Sequence, residues 1–206
     1  MTKTTIESLY PLPVYINDGY KLSKSKKDKL IQETKDGHRF NVLGNITSNN
    51  HNVLDNPYLS ALKKHLIKQV NNYAYEILCI NKKVEVYITQ SWLNINPKGT
   101  PHHTHRHHNS FISGTYYLQG STPIFFLHNT MLFQNFDFDV MERNYFNTSI
   151  CNINVEDGRC ILFPSALQHG VDPNQEEEER ISLSFNTFIR GELKPTEDWL
   201  TKLTIK

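Results

Sequence analysis

The spacing of apolar residues changes near Asn81, and this change limits the possible folds more than any other feature of the 206-residue chain. Before that point the spacing is helical. Leu59, Leu62, Leu66, Val70, Tyr73 and Ile77 recur at steps of three and four, which draws one apolar stripe along a helix at roughly 57–78. Pro57 suits the first turn of that helix, where a missing N–H has no partner to lose. Residues 23–34 read as a more polar helix that meets the core through Leu30 and Ile31. Ahead of both, 10–16 carries Pro11 and Pro13 and is expected to be extended.

Beyond Asn81, β-branched and aromatic residues gather in short runs punctuated by Gly, Pro, Asn and Asp. The segments 84–95, 111–118, 123–127, 149–155, 160–163 and 180–189 read as strands. Helices followed by short strands predict a mainly β fold with flanking helices, an antiparallel sandwich or barrel with the helices outside one sheet. With no internal repeat or low-complexity linker, a single domain over 1–206 is expected, with a helical part at about 1–81 and a strand core at about 82–190. The gap 129–148 holds Phe133, Phe136, Phe138 and Tyr145 among Asp137, Asp139 and Glu142. It is read either as a lid or as aromatics packed on the rim of the β core.

Lys plus Arg (22) nearly cancels Asp plus Glu (21), so charge offers no reason to expect a nucleic-acid or membrane partner. The acidic run at 176–179 reads as a solvated loop. Cys79, Cys151 and Cys160 show no CxxC spacing, so a disulfide framework is not expected. Buried free thiols in a reducing cytosol are the expectation. No apolar leader core and no stretch of membrane-spanning length is present, which points to a soluble, cytoplasmic protein.

Chemistry concentrates at 102–108, where five of the ten histidines fall within His102-His103-Thr104-His105-Arg106-His107-His108. Strand alternation would place His103, His105 and His107 on one side, and His102, Thr104, Arg106 and His108 on the other. Residues two apart lie about 6.6–6.8 Å apart along a strand, so two imidazoles can bend onto one ion at bond lengths of about 2.0–2.2 Å. His103/His105 and His105/His107 are both candidate pairs, and a His-rich surface loop or a structural zinc site is the alternative reading. His169 can add a third ligand from a distant strand, giving a facial set with open positions. In 180–186, Arg180, Ser182, Ser184 and Asn186 share one face, while Ile181, Leu183 and Phe185 share the other. The apolar face would meet the helices, and the polar face would line a cavity in which Arg180 forks onto a carboxylate beside the Ser182 hydroxyl.

His105-x-His107, Asn109-Ser110, Ser113-Gly114-x-Tyr116-Tyr117-Leu118, Leu162-Phe163-Pro164-Ser165, His169 and Arg180-Ile181-Ser182 together resemble the iron(II)- and 2-oxoglutarate-dependent dioxygenases. The nearest subgroup, common in phage and marine bacteria, carries an HxHPNxxxSGxYYL-like block. His108 stands here where that subgroup usually has proline, and His107 stands where most of the superfamily has a carboxylate. The likeness spans roughly 92–186. It implies a double-stranded β-helix (jelly roll), with Fe(II), 2-oxoglutarate and O2 as cofactor and co-substrates. His105, His107 and His169 would be the metal ligands, and Arg180 and Ser182 would hold the distal carboxylate of 2-oxoglutarate. The expected activity is hydroxylation of a small molecule or peptide, in the host cytoplasm if the chain is phage-encoded. Asn94, Tyr117 and Asn186 are candidate cavity-lining residues, with His103 at the entrance or beside the ligands. Two rivals stay open. One is a three-histidine cupin-like enzyme that ignores 2-oxoglutarate and has no use for Arg180. The other is a non-enzymatic β-sandwich, such as a phage protein, that picks up metal on its histidines.

Overall fold

A computed structural model describes residues 3–7, 11–128, 139–193 and 202–206. In chain order the elements are β1 (Tyr15–Asn17), α1 (Lys24–Asp36), β2 (His38–Phe40), β3 (Ile46–Ser48), α2 (Ser60–Asn71), β4 (Val84–Asn96) and β5 (His102–His105). They continue with β6 (Ile112–Gln119), β7 (Ile124–Leu127), β8 (Ile150–Ile153), β9 (Cys160–Pro164), β10 (His169–Val171), β11 (Arg180–Leu193) and β12 (Leu203–Ile205). Two antiparallel sheets result. The larger runs β1-β9-β6-β11-β4-β3-β2, with β12 also on β11, and the smaller runs β5-β10-β7-β8.

The pleat distributes neighbouring residues between two cores, because successive side chains on a strand point to opposite faces. Tyr116 and Leu162 join the helix-side core with Leu93, Ile181, Leu183 and Phe185, while their neighbours Tyr117 and Ile161 join Phe126, Phe163 and Leu167 in a second cluster. The predicted faces of 180–186 are therefore the observed ones. The helix stripe fills the first core: Leu59, Leu62, Leu66 and Tyr73 are 0% exposed and Val70 is 1% exposed. Each such side chain contributes about 1.5–3 kcal/mol by leaving water. Gly114 on β6 lets the layers close. A Cβ there would lie 2.2 Å from Phe185 Cζ and 2.7 Å from Leu162 Cδ2.

Several expectations need correction. The helix foreseen at 57–78 changes pitch twice, from a 3₁₀ turn at Pro57–Leu59 through α2 to a π-helical stretch at Asn72–Ile77. The consecutive Asn71 and Asn72, both poor helix formers, mark the second change, and Ile77 is 54% exposed at the end of the stripe. The part expected to be helical, 1–81, also supplies β1, β2 and β3 to the larger sheet. The histidine run, read with strand alternation, and His169, read on a distant strand, do lie on strands, β5 and β10, although apolar spacing marked neither segment. Only Cys160 is a buried thiol, Cys151 is half-buried and Cys79 is exposed. In the 129–148 gap, Phe133, Phe136, Phe138 and Asp137 lie outside the described residues, whereas Tyr145 is 86% exposed. Among the described residues, no helix is long and apolar enough to cross a membrane.

Candidate metal centre

His105 closes β5 directly opposite His169, which opens β10, so strand pairing alone brings residues 64 apart in sequence side by side. His107 lies just past β5, where its backbone N–H donates to Ser165 O at 2.9 Å. The three rings meet with centroids 5.1 Å (His105–His107), 4.4 Å (His105–His169) and 5.1 Å (His107–His169) apart. One nitrogen from each lies within 4.8 Å of the others.

The hydrogen bonds on the far side of each ring decide what those nitrogens are. His105 Nδ1–H donates to the His103 carbonyl at 2.8 Å, and His169 Nδ1–H donates to the Leu167 carbonyl at 2.9 Å. His107 Nδ1–H donates to Asn186 Oδ1 at 2.5 Å, and the Ser113 hydroxyl, 2.8 Å from the same Nδ1, donates to that Oδ1 at 3.0 Å. Each ring proton is thereby fixed on Nδ1, and all three Nε2 lone pairs are left facing one another. Nε2 of His105 and His107 are 3.1 Å apart. Two ligands at right angles with bonds of about 2.0–2.2 Å would be separated by about 3 Å. Burial pushes the imidazoles down, His105 to about 4 and His169 to about 3, with His107 lowered as well. All three are neutral at physiological pH, the form that ligates metal.

The same cleft continues to Arg180, which is 2% exposed. Its Nε donates to Thr122 O at 3.0 Å, Nη1 reaches Ser182 Oγ at only 3.5 Å, and its guanidinium sits 5.0 Å from the Tyr117 ring centroid. Among the described residues lining the cleft there is no carboxylate. Desolvation depresses the Arg180 pKa, with the neighbouring Tyr117 hydroxyl acting in the opposite sense, and that fully buried hydroxyl has no partner at hydrogen-bond geometry among the described residues. A buried cation beside an orphaned phenol is costly unless an anion joins them. Asn94 lines the cleft too, held between Thr47 Oγ1 at 2.9 Å and Ser184 Oγ at 3.2 Å.

The structure thus brings together His105, His107, His169, Arg180, Ser182, Asn94 and Tyr117 in one cleft. Asn186 stands behind His107 rather than in the cleft lining. His103 is exposed at the rim, its ring 5.1 Å from that of His102 and 5.0 Å from that of His105. Six cleft residues escaped the sequence reading: Trp92, His102, Thr115, Ile124, Gly170 and Val171. His102 was assigned to the opposite face from His105, but strict alternation fails here. His105 pairs with His169 and His102 pairs with Val171, so three steps on β5 match two on β10. The extra residue turns His102 into the cleft, and nothing in the local sequence announces it.

Fold and site define a class: a double-stranded β-helix that offers three imidazoles and a buried arginine to one cleft. The family follows from comparison. Residues 90–186 match the model of a family described as "Putative 2OG-Fe(II) oxygenase". The segment carrying the site thus matches the 2OG-Fe(II) oxygenases, a family of oxidoreductases that use Fe(II), 2-oxoglutarate and O2. No curated protein matches the sequence. Among solved structures, a prolyl-4-hydroxylase from Pseudomonas putida is 15% identical, with 89% of this chain and 96% of that chain covered and a TM-score of 0.54. HygX from Streptomyces hygroscopicus, solved with nickel, 2-oxoglutarate and hygromycin B, is 10% identical over 85% and 82% of the two chains, with a TM-score of 0.53. The carbocyclase SnoK from nogalamycin biosynthesis is 11% identical over 85% and 79%, with a TM-score of 0.59. These likenesses show the shared fold. The residues fit the family's cofactors: converging Nε2 lone pairs call for a cation, and Arg180, with no carboxylate among the described lining residues, calls for one beside the Tyr117 hydroxyl.

Proposed function

We propose that this chain is a 2-oxoglutarate-dependent hydroxylase acting on a small molecule or a peptide, with His105, His107 and His169 as the iron ligands. The observation that carries the reading is the convergence of three Nε2 lone pairs in a cleft that also holds a buried arginine, with no carboxylate among the described lining residues. When bound, iron and 2-oxoglutarate supply the oxidising chemistry, with O2 as oxidant and succinate and CO2 as by-products. The protein's part is geometry and charge. Arg180, Ser182 and Tyr117 hold the distal carboxylate of 2-oxoglutarate, and the buried setting of Arg180 strengthens that attraction. His107 replaces the usual carboxylate, so the three ligands bring no charge, and the 2-oxoglutarate dianion supplies the compensating negative charge. Asn186 and Ser113 keep the His107 ring oriented. Trp92 and Asn94 flank the space left for substrate. A prolyl-4-hydroxylase is among the proteins that share the fold, and a cytoplasmic setting suits the free cysteines.

Anaerobic addition of Fe(II) and then 2-oxoglutarate tests this reading. Chelation of the keto acid at an open iron site gives a visible charge-transfer band, which should appear in the wild type and be lost in His105→Ala. No band in the intact protein would refute the assignment, and a band formed at unchanged 2-oxoglutarate affinity without Arg180 would refute the carboxylate-holding role of Arg180.

A further inference from the structure

The imidazoles of the cleft are not all alike, and hydrogen-bond polarity separates them. A second group, His102, His103 and His105, also brings its nitrogens within 4.8 Å of one another, yet it is not built as a metal site. Asn45, 1% exposed in the turn between β2 and β3, points its amide Nδ2 at His102 Nδ1, 3.2 Å away. An amide N–H only donates, so His102 Nδ1 must be the acceptor and the ring proton must sit on Nε2. This is the reverse of the tautomer in His105, His107 and His169, whose protons are all drawn to Nδ1. Three imidazoles therefore offer lone pairs to the cleft, while His102 offers an N–H. That N–H has no acceptor among the described residues.

Its position gives the donor a target. The His102 ring lies 4.9 Å from that of His105, and His102 lines the cleft that runs from the ligand cluster to Arg180. A molecule reaching from the metal to Arg180 passes this ring. With no carboxylate among the described residues of the cleft lining, the bound co-substrate is the available acceptor. We infer that His102, its tautomer set by Asn45, donates a hydrogen bond from Nε2 to 2-oxoglutarate, which makes it a co-substrate-positioning residue additional to the arginine end. The inference rests on the functional reading above.

Two substitutions isolate the donor. His102→Phe keeps a ring against His103 and removes the N–H, while His102→Gln places an amide N–H near the position of Nε2. Fe(II) affinity is measured first, anaerobically and without co-substrate. The dissociation constant of 2-oxoglutarate is then read from the charge-transfer band. Loss of a hydrogen bond to a charged acceptor predicts at least about tenfold weaker 2-oxoglutarate binding in His102→Phe. His102→Gln should recover most of the loss, and both variants should hold Fe(II) as the wild type does. Unchanged 2-oxoglutarate binding in His102→Phe overturns the inference and leaves the functional reading intact. Weakened Fe(II) binding in either variant overturns it in favour of a ligand role for His102. A wild type that holds Fe(II) and shows no 2-oxoglutarate band overturns both.

Discussion

Replacing Arg180 by methionine separates a residue kept for binding from one kept for folding. In the free protein Arg180 is 2% exposed, and among the described residues its guanidinium has one good hydrogen bond (Nε to Thr122 O, 3.0 Å) and one marginal bond (Nη1 to Ser182 Oγ, 3.5 Å). Losing these costs about 1 kcal/mol each. Removing an uncompensated buried charge offsets that cost by a similar or larger amount. The stability of ligand-free Arg180→Met should therefore stay within about 2 kcal/mol of wild type, in either direction. Binding responds differently. The charge-assisted pair with a carboxylate is worth several kcal/mol in a dry site, so 2-oxoglutarate affinity should fall at least about a hundredfold. Thermal unfolding of the Ni(II)-loaded protein reads both effects. For the wild type, 2-oxoglutarate at about a hundred times its Kd adds about 2.7 kcal/mol. At about 2–4 °C per kcal/mol for a chain of this size, that raises Tm by about 5–10 °C. Arg180→Met should show little of this rise while still responding to Ni(II). A variant that unfolds far below wild type without ligand, yet keeps the full 2-oxoglutarate shift, would refute the reasoning and make Arg180 a structural residue.

Two further outcomes follow from packing and from charge. Gly114→Ala drives a Cβ to 2.2 Å from Phe185 Cζ between sheet and helices, and overpacking of this kind costs about 1–3 kcal/mol; an unchanged urea midpoint would argue that this core yields. In the metal-free protein His105 and His169 have pKa values depressed to about 4 and about 3. Between those values and the unfolded-state value near 6.5 the unfolded chain binds more protons, so stability rises with pH and is lost as pH falls through that window. Urea unfolding should thus give a lower midpoint at pH 5 than at pH 7, with His169→Gln reducing the difference; a flat profile would contradict the burial of neutral imidazoles.

Much of the site was legible in the sequence because its parts obey short-range rules. Arg180, Ser182 and Ser184 share a face, with Ile181, Leu183 and Phe185 opposite, since a strand forces alternation. The helical stripe from Leu59 to Tyr73 is the apolar periodicity itself, satisfied by a sheet wide enough to cover it. Where local pattern and backbone geometry diverge, the reading failed. His102 could not be placed, because the irregular pairing of β5 with β10 depends on what β10 is, and β10 is a three-residue strand with no pattern of its own.

By itself, the sequence determined the two main helices and the longer strands, the apolar faces and the residue types able to hold a metal and a carboxylate. These follow from side-chain chemistry and from periods of 3.6 and 2 residues. Only tertiary structure decided which histidines meet, because His105 and His169 become neighbours through pairing between distant strands. It also decided which nitrogen of each ring faces the cleft. That choice belongs to Asn186, Leu167, Asn45 and the His103 carbonyl, and a hydrogen bond to a ring's far side exists only once its partner has been folded into place.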